Sequence, residues 1–152
     1  MHKLTFKNAG LFLFMLFSAV FLNSCSKDEA TVEEGSYKIT ITATNVTTDD
    51  YISFVASGSP VDFQANTPWK VNGAERTGET AVSVTDADLA GGTKTVVIES
   101  ARPLRMVAIG AQFIPTRQAI SISFKVEKNG QTQVEENLQL APEQSFSRNY
   151  SF

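Results

Sequence analysis

From Tyr37 to Phe152 apolar and polar side chains alternate almost one for one, and that period of two fixes the class of fold. The stretch 119–128 shows it most clearly. Ile120, Ile122, Phe124 and Val126 take one face, while Ser121, Ser123, Lys125 and Glu127 take the other. Asn129-Gly130 follows, two residues that tolerate positive φ, and Gln131 to Leu140 returns, so the spacing predicts a hairpin. Pro68-Trp69-Lys70-Val71 running into Asn72-Gly73 predicts a second. Tyr37, Ile39, Ile41 and Ala43 alternate with Lys38, Thr40, Thr42 and Thr44. Further runs fall at Tyr51 to Ser57, Val61 to Ala65, Ala81 to Val84, Thr93 to Glu99, Leu104 to Ile114 and Phe146 to Phe152. Thr93 to Glu99 and Leu104 to Ile114 are the more apolar and read as central strands. No stretch carries a helical period. About eight to ten short strands at this spacing predict an all-β domain, an antiparallel immunoglobulin-like β-sandwich. Glu136 shares the parity of Val134, Leu138 and Leu140, which predicts an edge or a bulge there.

The segment before Tyr37 follows another logic. Lys3 and Lys7 open it, and an apolar run from Leu11 to Leu22 follows, interrupted only by Ser18. That run is shorter than the roughly 20 residues a membrane-spanning helix needs. A basic start, a short apolar core and small residues at its end describe a signal peptide. Leu22-Asn23-Ser24-Cys25 resembles the lipobox of bacterial lipoproteins, with Asn23 an unusual choice at its position. The resemblance implies cleavage between Ser24 and Cys25 and lipidation, by palmitate-like chains, of Cys25. Ser26-Lys27-Asp28-Glu29 resembles the export signal of surface lipoproteins of the Bacteroidota type. Ser26 to Ser36 holds four carboxylates, one Lys and one larger apolar residue, Val32, so it reads as a solvated tether. The expected organisation is a signal peptide over 1–24, the lipidated Cys25 and acidic tether over 25–36, and the sandwich over 37–152. The expected location is the bacterial outer membrane, lipid-anchored and surface-exposed, with a periplasm-facing anchor as the alternative.

Cleavage changes the chemistry that remains. It removes Lys3, Lys7 and the sole histidine, His2, leaving 11 of the 13 basic residues against 16 acidic ones, a net charge of −5. Nucleic acid is excluded as a partner, because phosphate neutralisation needs a basic stripe. Cys25 is the only cysteine, so disulfides, Ser–His and Cys–His nucleophilic sites and His-containing metal centres are excluded as well. Hard-cation sites, carboxylate pairs and Ser–Lys arrangements survive. The reading is a non-enzyme without a cofactor.

The surviving candidates each have a plain structural explanation. Asp86-Ala87-Asp88 before Gly91-Gly92 partly resembles a calcium loop, but Ala90 stands where a third oxygen ligand would be needed. A polar inter-strand loop is the better reading. Asp49-Asp50 reads as a turn pair bonding its own backbone. Trp69 reads as a core plug rather than a sugar platform. Arg102, Arg105 and Arg117 read as solvated residues rather than a collector of acidic partners.

The strand order resembles the MmpS-like family of small transport-accessory proteins, on the Tyr-Lys-Ile-Thr-Ile opening at 37–41, Pro-Trp-Lys-Val at 68–71 and Val-Glu-Lys-Asn-Gly at 126–130. The resemblance implies an immunoglobulin-like soluble domain and an accessory role in transport. It brings no catalytic residue. Two functions stay open: a membrane-anchored binding or interaction module with a protein or glycan partner, and a carrier of a small apolar ligand or glycan at the cell surface. Ligand-binding residues are not assigned by the sequence.

Overall fold

The computed structural model describes residues 33–61 and 68–152. Among the described residues ten strands and one helical turn succeed one another: β1 (Tyr37–Thr44), β2 (Tyr51–Pro60), β3 (Trp69–Val71), β4 (Ala74–Glu75), β5 (Ala81–Thr85), α1 (Asp86–Leu89), β6 (Lys94–Ser100), β7 (Leu104–Ile114), β8 (Ile120–Lys128), β9 (Gln131–Leu140) and β10 (Phe146–Ser151). They form two antiparallel sheets, one ordered β4-β3-β6-β1-β8-β9 and the other β10-β7-β2-β5. The chain changes sheet at every connection except the hairpins β3–β4 and β8–β9. This is the antiparallel sandwich that the alternation predicts. All of the run Val61 to Ala65 but Val61 itself, and the whole segment 1–32, Cys25 included, lie outside the described residues.

Both predicted hairpins form, on Asn-Gly pairs with positive φ throughout: 50° and 80° at Asn72 and Gly73, 52° and 77° at Asn129 and Gly130. Those angles suit the right-handed twist of the strands they join. β6 and β7 are interior strands of their sheets, as their apolar content requires. Two details differ from the sequence reading. β2 runs through Gly58-Ser59 to Pro60, with a register slip against β7 at Ser59/Pro60. The loop after β5 winds one helical turn, because Leu89 is fully buried and the turn carries it into the core.

The core follows the inward parity of each strand: Ile39 and Ile41 of β1, Phe54 of β2, Ile109 and Phe113 of β7, Ile122, Phe124 and Val126 of β8. Phe124 lies at its centre, with ring centroids of Phe54 at 5.3 Å, Tyr150 at 5.8 Å, Phe113 at 6.3 Å and Phe146 at 6.4 Å. All four pairings are close to edge-on, which suits the quadrupoles of the rings. Trp69 is fully buried, and its indole N–H donates to the Thr80 carbonyl at 3.2 Å. The same carbonyl accepts the Gly58 N–H at 3.2 Å. Gly58 makes room for this arrangement, since a Cβ there would stand 2.8 Å from Leu104 Cδ1 and 2.9 Å from Trp69 Cζ2.

The fold begins before Tyr37. Gly35 exchanges both backbone bonds with Leu104, at 3.0 and 2.9 Å. Asn129 accepts the Ser36 N–H on its side chain at 2.9 Å, and its own N–H donates to the Ser36 carbonyl at 2.8 Å. Lys128 Nζ donates to the Glu33 carbonyl at 2.9 Å, its stem lying where a Gly35 side chain would be. The last residues of the expected tether are therefore clasped to the β8–β9 turn and the start of β7.

Candidate functional site

The acidic candidates at the loop end of the sandwich are spent on structure. Asp50 is buried, and each carboxylate oxygen accepts two bonds: Oδ2 from the Thr47 N–H (2.8 Å) and hydroxyl (3.0 Å), Oδ1 from the Thr116 N–H (2.8 Å) and hydroxyl (3.2 Å). Burial alone would raise its pKa, but the four donors outweigh it and hold the carboxyl below its ordinary value of 3.8. Asp50 thus pins the β1–β2 turn to the β7–β8 connection. Asp49 pairs with Arg117 Nη2 at 3.1 Å on the exposed side of the same corner. Asp88 Oδ2 accepts the Thr85 N–H at 2.8 Å and its hydroxyl at 3.1 Å, closing the α1 turn. Among the described residues no three of His, Cys, Asp or Glu come together as a metal site.

The three arginines do not converge. β7, eleven residues long, separates Arg102 and Arg105 at one end from Arg117 at the other. Arg102 and Arg105 each have partners. Trp69 is a core plug and offers no platform.

What remains is the outer surface of the two sheets, and the two differ in kind. The six-stranded sheet carries mixed charge: Lys38 faces Glu99 across β1–β6 at 3.8 Å, and Lys125 meets Glu127 along β8 at 3.1 Å. An open hollow of about 460 Å³ lies among Lys38, Lys70, Glu99 and Glu127, beside the clasped segment.

The four-stranded sheet presents no charge between Tyr51 and Ser59 of β2. Its register aligns outward side chains in rows across the strands. Tyr51 stands beside Ile114; Thr85, Ser53, Gln112 and Ser147 form the next row. Ser83, Val55, Gly110 and Asn149 follow, then Ala81, Ser57, Ala108 and Ser151, then Ser59 beside Met106. Tyr51, Val55 and Met106 are the large apolar residues exposed here, at 51%, 38% and 57%. Met106 walls a shallow recess of about 230 Å³ floored by Ser57, Gly58, Ser59 and Ala108. This face is not apparent from any one strand of the sequence. It emerges only when the outward parities of β2 and β7 are laid side by side.

Comparison with known proteins adds to the fold. No protein-family model matches the chain, and no curated protein matches it. Three solved structures share its architecture. A DUF4425 family protein from Bacteroides ovatus aligns with TM-score 0.56 and 14% identity, over 79% of this chain and 95% of that one. A DUF4425 domain of unknown function from Bacteroides vulgatus gives 0.57 and 12%, over 78% and 94%. A protein from Parabacteroides distasonis, solved in its calcium-bound form, gives 0.60 and 16%, over 84% and 99%. At such identities the likeness is one of fold.

Proposed function

We propose that this chain is a lipid-anchored, non-catalytic binding module of the bacterial cell envelope, held at the outer membrane by Cys25 and displayed at the cell surface. The observation that carries this reading is the clasp at Gly35. From Cys25 to Glu33 is eight residues, at most ~28 Å of extended chain, so an anchor at Cys25 holds the sandwich close to the lipid. The clasp gives the chain a fixed point of exit, beside the β8–β9 turn. The Asp50 turn lies at the opposite end of β1 from this exit. A packed interior favours binding at the surface over carriage within the core. The accessory role implied by the MmpS-like resemblance is a narrower form of the same reading.

The Parabacteroides distasonis protein is calcium-bound, but in this chain Asp50 has all four acceptor positions filled, and Asp88 closes a turn. Calcium takes six to eight oxygens, and the described acidic residues do not gather them.

Metabolic labelling with a fatty-acid analogue tests the anchor: label is incorporated by the unaltered chain and lost in Cys25→Ala, which leaves the membrane fraction. Label retained on the Ala variant overturns the lipobox. Protease added to intact cells tests the side, since a surface domain is digested and a periplasm-facing one is spared.

A further inference from the structure

The uncharged face of the four-stranded sheet has the chemistry of a particular ligand. Twelve outward positions in three complete rows across β5, β2, β7 and β10 include six hydroxyls and the amides of Gln112 and Asn149, with no acid and no base. Charge borders the block without entering it: at the Asp49–Arg117 pair before Tyr51, at Arg105 beside the register slip, and along the β5 edge, where Asp88 takes the Thr85 hydroxyl and leaves five hydroxyls for a ligand. Tyr51 and Ile114 rise at one end of this floor and Met106 at the other. Eight residue steps along β2 separate the two ends, ~27 Å at strand rise.

Resting on the reading of the chain as a binding module, we propose that this face binds a neutral polysaccharide lying along β2 and β7. Sugar hydroxyls both donate and accept, as do the Ser and Thr hydroxyls and the two amides beneath them. A pyranose ring presents C–H groups on its faces, which suit the flat apolar body of the half-exposed Tyr51. A charged ligand would meet no countercharge. A nucleic acid or an anionic membrane would meet no Lys or Arg in the three rows. A second protein surface is disfavoured by composition, since Ser and Ala, which dominate the floor, are depleted in protein interfaces.

Affinity electrophoresis of the full chain in detergent, through gels containing glucan, mannan, xylan or polygalacturonate, tests the proposal. Retardation is expected in at least one neutral gel and not in polygalacturonate. Tyr51→Ala should weaken it by about tenfold or more, as expected for a lost stacking contact. Val55→Lys should abolish it by placing a long charged chain mid-floor, whereas Lys125→Ala on the opposite sheet should leave it unchanged. Thermal melts confirm that each variant is folded. No retardation in any neutral gel, retardation by polygalacturonate alone, or undiminished retardation of Val55→Lys overturns the proposal. If glycans fail while Val55→Lys abolishes cross-linking to a protein partner in cells, the glycan falls and the binding-module reading stands. If neither changes, both fall.

Discussion

Tyr150 donates its hydroxyl to Glu136 Oε1 at 2.9 Å, joining the edge strand of one sheet to the edge strand of the other. Arg148 Nη1 reaches the same oxygen at 3.0 Å. Glu136 lies opposite Phe124 in the β8–β9 register, so its side chain is aimed inward, at the open side of the sandwich. An inward carboxylate on an edge strand discourages pairing with another chain, and here two donors from β10 satisfy it.

Burial first, then the bond to Glu136 and its charge, raise the Tyr150 pKa from 10.0 to about 12, with Arg148 opposing. A folded value above the unfolded one means that this contribution to stability is complete below pH 10 and is lost as pH rises toward about 12. Ultraviolet titration, taken as the difference from Tyr150→Phe, should show a midpoint that falls in Glu136→Gln. An unmoved midpoint would mean that the carboxylate does not perturb the phenol.

Glu136 also shows how far a sequence reading reaches. Its parity with Val134, Leu138 and Leu140 marked β9 as an edge or a bulge, and β9 is an edge, with the irregularity falling at Val126/Glu127 instead. Strand periods and Asn-Gly turns are local properties, so most strands and both hairpins were legible. The partners of Glu136 were not, because Arg148 and Tyr150 meet it only after β9 and β10 have joined different sheets. The same holds for the Thr116 bonds to Asp50, 66 residues away. α1 escaped notice because a single turn is too short to show a period. The clasp at Gly35 escaped because an acidic, Gly-containing segment looks solvated until Leu104 is found opposite it.

Asp50 should make the protein acid-sensitive. Its folded pKa lies below the unfolded 3.8, so its contribution is present above pH 3.8 and lost as pH falls through the folded value. Asp50→Asn places an amide NH₂ against Thr donors and should cost about 1–3 kcal/mol near neutrality. Urea melts across acid pH should show the wild type losing this advantage on acidification, converging on the variant. A difference that is constant with pH would count against the carboxylate.

Gly58 and Gly92 should respond oppositely to one methyl group. At Gly58 the added carbon meets Leu104 and Trp69 below 3 Å, and overpacking of this kind costs about 1–3 kcal/mol. At Gly92 nothing lies within 4 Å, so Ala there should be neutral or stabilise by a few tenths of a kcal/mol. Melting temperatures of the two variants decide it, and equal losses would contradict the packing around Trp69.

Phe124 and Ser123 test the register on which the inner and outer faces rest. Phe124 is buried among four aromatic rings, two from β10 and one each from β2 and β7. Its truncation to Ala removes contacts with the whole opposite sheet and should cost about 3–5 kcal/mol. Ser123 points to the outer face between Thr42 and Asn137, and Ala there should change stability by less than about 0.5 kcal/mol. A shift of β8 by one residue would exchange the two faces and reverse this order. Denaturant melts of Phe124→Ala and Ser123→Ala therefore read the register directly. The larger loss must fall on Phe124, because only its side chain enters the space between the sheets.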